Sequence, residues 1–512
     1  MTTTSENNKR IAKNTLLLYF RMLLILAVTL YTSRVVLATL GVEDFGIYNV
    51  TGGVVAMFTV ISGSLSSAIS RFITYELGRG NKERLKTIFS SSIIIQISLA
   101  LFICILAEIG GVWFLNNKMN IPTERMDAAN WVLQCSILTF MINLISVPYN
   151  AAIIAHERMK AFAYVSILEV VLKLAVVFAL YLSPFDKLAT YASLLVTVAI
   201  VIRLIYGFYC KKHFEECKFR FVYDRSVLKE IGGYASWNFI GSSSAVLRDH
   251  GGNIIINLFC GPAINAARGI AFQVNTAING FVTNFMTALN PQIIKSYASG
   301  DCKYMMNLIF QGARLSFYML LLLSLPVLVN THYILALWLK IVPEHAVLFV
   351  QLVLVFAMSE SISNPLITAQ HATGRIRNYQ LIVGGLQLTN LPLSYILLRV
   401  GLFPEVVIVV AIAVSQCCLA ARLILLRGMI GLSLRKYVIK VYLNVLIVTI
   451  ISAFIPFLVS RQLEESFLNF VLLTLMSLFC TGFTIYYIGC NRTERQFVLN
   501  KLYTIKSKLS KR

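Results

Sequence analysis

Long apolar runs recur along nearly the whole chain, and each has about the length of a membrane-spanning helix. Such a helix takes about 20 mainly apolar residues, because the hydrocarbon core is roughly 30 Å thick and each helical residue rises about 1.5 Å. Hydrophobic residues make up 57% of the 512 residues and charged residues only 13%, which is too apolar for a set of soluble domains. The sequence therefore predicts a polytopic membrane protein.

The runs predict about fourteen spanning helices, since backbone amides in lipid must be satisfied within each segment and barrel strands would alternate in polarity. They lie near residues 15–38, 46–70, 87–115, 128–155, 161–182, 188–210, 231–258, 263–290, 304–330, 345–369, 377–398, 405–426, 437–459 and 466–489. The first run is followed by no cleavage pattern and is predicted to be a span, not a removed signal peptide. The expected fold class is all-α.

Charge distribution predicts the orientation of these spans. Most Lys and Arg residues between spans fall on one side, which the positive-inside rule assigns to the cytoplasm together with both termini. The exceptions, on the other side, are Lys118, Arg125, Lys187, Lys340, Arg399 and Arg461. Because the cations flank spans in this way, the formal charge of +22 does not predict nucleic-acid binding.

An internal repeat predicts two pseudo-symmetric lobes of six helices. A shift of 220 residues places Gly41 on Gly261 and Gly80 on Gly300, and a shift of 215 matches a second set. That set pairs His156 with His371, Lys160 with Arg375 and Tyr164 with Tyr379. The predicted domains are an N-terminal lobe at residues 1–210, a cytoplasmic linker at 211–229, a second lobe at 230–426, and two additional helices with a basic tail at 427–512. An ordinary cytoplasmic loop would explain the charge of the linker equally well.

The seventh and eighth spans are unusually polar for helices in lipid. On the seventh, one face carries Asn238, Ser242, Asp249 and Asn253, with Arg248 beside it. On the eighth, the spacings of 7 and 4 stack Arg268, Asn275 and Asn279 on one face. A charge within a span costs several kcal/mol unless it is paired or hydrated, so these faces predict a wet cavity.

Fewer polar groups lie in the other spans. The first carries Arg34, the fifth carries Glu169 and Lys173 one turn apart, and the tenth carries Glu360. Arg34 either lines the cavity or extends outward, and Glu169 with Lys173 is either a functional pair or only a buried ion pair. Headgroup contact by long side chains is predicted for three further cations, Arg21, Arg203 and Arg314.

The excess of cations over carboxylates within the spans predicts a cavity that attracts anions. Arginine presents a planar fork of donors that fits phosphate oxygens, so the expected substrate bears phosphate. The ten cysteines sit mostly in apolar runs without metal-type spacing, and neither a metal nor a cofactor is expected. The sequence shows neither a Ser/His/Asp set nor a phosphate-cradling glycine loop, so catalysis is not expected.

Two stretches, LGVEDFGIYNVTGGVV at 40–55 and SSAISRFITYELGRGN at 66–81, give the chain a family resemblance. It resembles bacterial polysaccharide flippases of the O-antigen and teichuronic-acid export type, in the multidrug, oligosaccharidyl-lipid and polysaccharide exporter superfamily. The residues that carry the resemblance are Leu40, Gly41, Phe45, Gly46, Tyr48, Arg71, Phe72, Glu76, Gly78 and Asn81. It covers the whole chain, although the C-terminal half is similar chiefly in hydropathy.

The resemblance implies transfer of a polyprenyl-pyrophosphate-linked oligosaccharide across the bacterial inner membrane by alternating access, for surface polysaccharides such as the O-antigen of lipopolysaccharide. Membrane lipids, a proton or sodium gradient, and glycan polymerase and chain-length proteins are the implied partners. The expected substrate-binding residues are Arg34, Lys173, Asn238, Ser242, Arg248, Arg268, Asn275 and Asn279. The expected ion-coupling residues are Glu169, Asp249 and Glu360.

Two other functions compete with this prediction. A drug or metabolite antiporter of the same superfamily would share the fold but favour an acidic cavity, against which the excess of cations argues. A membrane glycosyltransferase, polymerase or ligase acting on the same lipid usually needs a sizeable domain outside the membrane. The predicted outer loops are short, so a transporter is expected and not an enzyme.

Overall fold

The computed structural model describes residues 4–56, 58–119, 121–218, 220, 224–339, 342–492 and 494–496. In this part of the chain every regular element is helical. The helices of the first half are α1 (Thr4–Ala56), α2 (Thr59–Arg79), α3 (Lys82–Leu106), α4 (Val112–Lys118), α5 (Met126–Ala155), α6 (Met159–Leu182), α7 (Lys187–His213) and α8 (Arg225–Ala298). Those that follow are α9 (Cys302–Val329), α10 (Thr331–Leu339), α11 (Ala346–Ser361), α12 (Asn364–Thr373), α13 (Arg377–Leu388), α14 (Asn390–Arg399), α15 (Val406–Ile430), α16 (Leu434–Tyr437), α17 (Asn444–Ser460) and α18 (Phe467–Thr484).

Short irregular turns extend several of these helices. Two are 3-10 turns, Thr123–Arg125 and Glu215–Cys217, and three are π-helical, Ala107–Gly111, Val438–Leu443 and Ile485–Gly489. Within the described residues, eleven helical stretches are long and apolar enough to cross a membrane. The other three predicted spans, near 46–70, 231–258 and 263–290, are helical as well. The prediction of an all-α polytopic fold is confirmed.

The repeat predicted from sequence has a counterpart in the backbone. Gly41 interrupts α1 with φ 81° and ψ 169°, and Gly261 interrupts α8 with φ 83° and ψ 177°. This combination is open essentially to glycine alone, because a Cβ would clash with the backbone. Gly80 and Gly300, the second predicted pair, are also left-handed, with φ 73° and 78°. Each pair therefore has matching backbone geometry 220 residues apart.

Unit 1, the first of two compact units, contains Met1–Ser243, Thr287–Asp301 and His371–Gln380. In it α5 packs against α2, α3 and α7, and α1 packs against α6. Phe89 meets the ring of Tyr149 edge-on, with centroids 5.2 Å apart, inside the core of this unit. The Asp186 carboxylate accepts a hydrogen bond of 2.9 Å from Ala189 N and so begins α7, which lines the cavity described below.

Unit 2 contains Ser244–Met286, Cys302–Gln370 and Leu381–Arg512. Here α9 packs against α11, α17 and α18, and α11 packs against α15. Leu321 and Phe349, which are fully buried, belong to its interior. The two compact units do not test the lobe boundaries drawn from the repeat, which stay a prediction.

Candidate functional site

A cavity of about 660 Å³ lies within unit 1 and is lined by α1, α5, α6 and α7. Its polar lining consists of Arg21, Thr29, Thr32, Asn143, Ser146, Asn150, Ser166, Glu169 and Lys173, with the rings of Tyr48, Tyr191 and Tyr206. Ligand pockets in proteins usually measure about 300–1,000 Å³, so this volume suits a small-molecule or headgroup ligand.

The charged groups of this cavity comprise two cations and one carboxylate. Lys173 Nζ donates to Glu169 Oε1 at 2.6 Å, so the two form an ion pair one turn apart on α6, and both side chains are partly exposed. Arg21 lies over the ring of Phe162, with 4.6 Å between its guanidinium carbon and the ring centroid. One of its terminal nitrogens is 3.5 Å from Ser166 Oγ. After the ion pair is counted, Arg21 leaves the lining with one uncompensated positive charge.

Three polar atoms of the lining have no hydrogen-bond partner among the described residues. They are Arg21 Nε, Thr32 Oγ1 and Asn150 Oδ1. A buried polar atom without a partner costs about 1–3 kcal/mol, and a ligand or water that pairs with it recovers that free energy. These three atoms have almost no accessible surface, so a ligand in the cavity would pair with them only after the lining side chains shift.

Most of this lining differs from the site residues that the sequence predicts. Arg21 was predicted to extend toward headgroups, but it lines the cavity. Asn143, Ser146 and Asn150 are not among the predicted site residues, although their spacing of three and four residues puts them on one face of α5. Arg34 belongs to α1, but its side chain lies outside the described residues.

A second cluster of charged residues lies within unit 2, where α8 folds back after its break at Gly261. Arg268 is only 3% exposed. Its Nη2 donates to the backbone oxygen of Asp249 at 3.1 Å, and its Nη1 contacts the Asn253 side chain. A Cβ on Gly252 would approach Arg268 Nη2 to 2.9 Å, so a glycine gives the guanidinium its space. Arg268 thus joins the two arms of α8.

Arg248 is held beside this contact by two carboxylates. Its Nε donates to Asp249 Oδ1 at 2.9 Å, and its Nη1 lies 3.9 Å from Glu360 Oε2. Ser415 Oγ donates to the other oxygen of Glu360 at 2.9 Å. The structure therefore brings three predicted residues, Arg248, Asp249 and Arg268, into the lining of a narrow crevice of unit 2. A fourth, Glu360, lies against Arg248.

The crevice has a volume of about 20 Å³, which holds about one water molecule. Within the described residues, three of its polar atoms have no hydrogen-bond partner, namely Arg268 Nε, Asn390 Oδ1 and Ser394 Oγ. In this conformation Arg268 donates to Asp249 O and to Asn253, and Arg248 Nε donates to the Asp249 carboxylate. The crevice is too small to enclose a pyrophosphate.

The remaining predicted site residues lie elsewhere. Asn238 is buried in unit 1, where it donates to Ser64 O at 3.2 Å and accepts from Gln380 Nε2 at 3.2 Å. Ser242 is half-buried in the same unit. In unit 2, Asn279 Nδ2 donates to Asn275 Oδ1 at 2.7 Å, so these two do stack on one face of α8. Asn238 and Ser242 are thus grouped apart from Asp249 and Asn253.

The chain is similar to a known protein family and to a curated membrane protein. The family model described as "Polysaccharide biosynthesis protein" matches residues 11–296. Among curated proteins, the chain is similar to the uncharacterized membrane protein EpsK of Bacillus subtilis, with 21% identity over 306 residues. The match covers 59% of this chain and 60% of EpsK, so the chain spans less than two thirds of that relative.

Solved structures show the same fold at low identity. A multidrug resistance MATE family transporter of the MOP superfamily in an outward-facing conformation has a TM-score of 0.71 at 13% identity, covering 83% of this chain and 96% of that one. MATE in a bent conformation gives 0.72 at 12% identity, covering 84% and 99%. A MOP superfamily transporter from Pyrococcus furiosus gives 0.68 at 15% identity, covering 83% and 96%; reverse polarity of its binding pocket was taken to suggest a different function.

Proposed function

Because the chain belongs to the polysaccharide biosynthesis protein family of the MOP superfamily, we propose that it is a flippase for lipid-linked oligosaccharides. The substrate would be a polyprenyl-pyrophosphate-linked oligosaccharide, carried across the bacterial inner membrane by alternating access for surface polysaccharides such as the O-antigen. The observation that supports this most is the unit 1 cavity of about 660 Å³ with Arg21 and Lys173 in its lining.

The anionic part of the substrate would bind to these two cations. The Arg21 guanidinium presents a fork of donors to phosphate oxygens, and its Nε has no partner within the described residues. Lys173 would exchange its bond to Glu169 for one to phosphate. The attraction between these cations and phosphate would strengthen as the bound substrate displaces water from the cavity, because charges are screened less where water is excluded.

The sugar part would bind to the neutral polar groups of the same cavity. Amides on α5 and hydroxyls on α1, α5 and α6 offer both donors and acceptors, and sugar hydroxyls bind to both. Among them Thr32 Oγ1 and Asn150 Oδ1 have no partner in the described part of the chain. The polyprenyl tail would stay in the bilayer and would not have to enter the protein.

Arg34, Arg248 and Arg268 remain proposed pyrophosphate contacts, and Asn238, Ser242, Asn275 and Asn279 remain proposed sugar contacts. In unit 2, binding would require Arg248 to leave Asp249, since the crevice of about 20 Å³ does not enclose a pyrophosphate. Glu169, Asp249 and Glu360 are the proposed coupling carboxylates for a proton or sodium ion. Glu169 would be released for this role when phosphate binds to Lys173.

A cation-coupled drug or metabolite antiporter is the second candidate, favoured by the Glu169 carboxylate within the cavity. A carboxylate suits an organic cation, just as Arg21 suits an anion. The two functions differ in whether the cavity binds a negatively or a positively charged ligand. Pocket polarity was also the property that set the Pyrococcus furiosus transporter apart.

Transfer in proteoliposomes tests the proposal. The probe is a polyprenyl-pyrophosphate carrying a fluorescent sugar, and a membrane-impermeant quencher reports how much of it reaches the other leaflet. Transfer above that of empty liposomes, and faster under an imposed proton or sodium gradient, is the expected result. No transfer of this probe, together with gradient-driven movement of ethidium, would establish the antiporter instead.

A further inference from the structure

Two polar contacts join α5 to the helical stretch of α3 and α4, near the end that the charge distribution assigns to the outside. Gln134 Nε2 donates to Glu108 Oε2 at 3.0 Å. Further out, Asn116 Nδ2 donates to Asn130 Oδ1 at 3.0 Å, and Asn130 Nδ2 donates back to Asn116 Oδ1 at 3.1 Å. All four side chains are exposed or half-buried. Both contacts lie in unit 1, outside the lining of its cavity.

Two tryptophans with exposed rings lie beside these contacts. Trp113 on α4 is 55% exposed and Trp131 on α5 is 53% exposed. Trp131 Nε1 donates to Ser193 Oγ of α7 at 2.9 Å, which holds the indole in place while much of its ring stays accessible. Trp113 precedes Asn116 by three residues and so lies on the same face of α4. Together these side chains form the amide-indole surface, which consists of Glu108, Trp113, Asn116, Asn130, Trp131 and Gln134.

The order of groups along this surface differs from that of an interfacial aromatic belt. Exposed apolar side chains, among them Leu101, Ile105 and Leu138, come first on the membrane side. Glu108 and Gln134 follow, and the tryptophans lie about one helical turn further out. A carboxylate is costly within hydrocarbon, so Glu108 marks a level at or beyond the headgroups. The indoles therefore lie outside the acyl chains, whereas belt tryptophans lie between the acyl chains and the charged groups.

The composition of the amide-indole surface fits a sugar. Sugar rings have apolar C–H faces that pack against aromatic rings, and their hydroxyls both donate and accept hydrogen bonds. An amide or carboxylate oxygen can accept two hydrogen bonds, so Glu108 and the amides retain capacity for hydroxyl donors while they contact each other. The one charge among the six residues is negative, which disfavours phosphate and favours a neutral polar ligand.

We propose that the amide-indole surface binds the sugar of the lipid-linked oligosaccharide in the outer leaflet, after its transfer. The proposal rests on the proposed flippase function, since transfer is what brings the sugar to this side. The lipid tail stays on the exposed apolar side chains of α3 and α5, and the sugar lies on the indoles and amides at headgroup level. Glu108 belongs to the π-helical turn Ala107–Gly111, and such turns occur frequently at functional sites.

Equilibrium binding to the protein in nanodiscs tests the proposal without transport. The probes are a radiolabelled polyprenyl-pyrophosphate-linked sugar and radiolabelled polyprenyl pyrophosphate without sugar, and scintillation proximity measures both. The Arg21→Ala/Lys173→Ala background removes the cation contacts of the cavity. In it, Trp113→Ala with Trp131→Ala is expected to weaken binding of the sugar-bearing lipid about tenfold, because each aromatic contact contributes a factor of a few. Binding of the sugar-free lipid should not change.

Trp338→Ala with Phe403→Ala, made in the same background, is the matched control. Both residues are aromatic, lie on the predicted outer side and are 50% and 51% exposed, but they belong to unit 2. Their replacement should leave binding of both lipids unchanged. If the Trp113/Trp131 variant binds the sugar-bearing lipid as tightly as this control, or loses both lipids equally, the indoles serve only as interfacial anchors and the inference is overturned.

Asn116→Ala with Gln134→Ala is a second variant, which keeps both indoles. It should weaken binding of the sugar-bearing lipid several-fold, because partners of the hydroxyls are lost, and size-exclusion chromatography checks that it is folded. Unchanged binding by this variant also overturns the inference. The two proposals fail separately. Transfer in proteoliposomes without tryptophan-dependent sugar binding overturns only the amide-indole surface, and tryptophan-dependent sugar binding without transfer overturns only the flippase function.

Discussion

Replacing Arg21 and Lys173 together by alanine is expected to slow transfer of the polyprenyl-pyrophosphate-linked sugar by about 100-fold or more. Each charge-assisted hydrogen bond to phosphate contributes roughly 1.5–3 kcal/mol, and 1.4 kcal/mol corresponds to a factor of ten. The same fluorescent assay in proteoliposomes measures the effect. Lys173→Ala alone should cost less than the double replacement, because Arg21 still presents its guanidinium to the phosphate.

Arg203→Ala is the matched control for this prediction. Arg203 is also an arginine within a predicted span, but it lies against the ring of Tyr149, 3.9 Å from the centroid, and it is not part of the cavity lining. Its removal should leave the transfer rate within a factor of about three, since surface-type substitutions usually change free energies by about 0.5 kcal/mol. If the Arg21/Lys173 variant and the Arg203 variant transferred the labelled lipid at equal rates, the cavity would not be the substrate-binding site.

The second large effect concerns stability and the two additional C-terminal helices. Arg314 of α9 was predicted to extend toward headgroups, which is wrong: it is buried within unit 2. Its Nη2 donates to Glu494 Oε1 at 2.7 Å and its Nη1 to Gly489 O at 3.1 Å. Gly489 ends the π-helical turn after α18, so this arginine fastens α18 to α9.

Arg314→Met is expected to lower the free energy of unfolding by about 3–5 kcal/mol, because it leaves Glu494 Oε1 without its charged partner and removes one of the donors to the carbonyl of Gly489. Thermal unfolding of the purified protein in detergent measures the loss. The double variant Arg314→Met with Glu494→Met should lose less than the single one, since no uncompensated charge is left behind. Arg461→Met, an exposed cation after α17, should unfold like the unmodified protein. A single variant as stable as that control would contradict the anchoring role.

Hydropathy and charge were sufficient for much of the fold. The predicted spans at 128–155, 161–182 and 188–210 coincide with α5, α6 and α7 within a few residues at most ends. The paired glycines at 41 and 261 were found from spacing, and their shared backbone geometry follows from the absence of a Cβ. These features are local, so a single sequence contains them.

The candidate site could be predicted only in part, because a helical face does not show which neighbour it meets. Glu169 and Lys173 are one turn apart and had to be close, whatever the tertiary structure. In contrast, the placement of Arg21 in a cavity depends on how α1 packs against α6. Arg268 likewise contacts Asp249 only because α8 turns back at Gly261. Such contacts join residues far apart in sequence, and periodicity carries no information about them.

The measurement closest to the central claim is photo-cross-linking of the substrate from inside the unit 1 cavity. Benzoylphenylalanine is introduced at Ser146, which lines the cavity, and separately at Phe178, which is exposed on α6. A radiolabelled polyprenyl-pyrophosphate sugar should label the protein through the residue at position 146, and this labelling should saturate and be competed by the unlabelled lipid. Any labelling through position 178 should not saturate. Labelling that is equal and unsaturable at both positions would mean that the lipid reaches the protein only through the bilayer, and the cavity would not be its binding site.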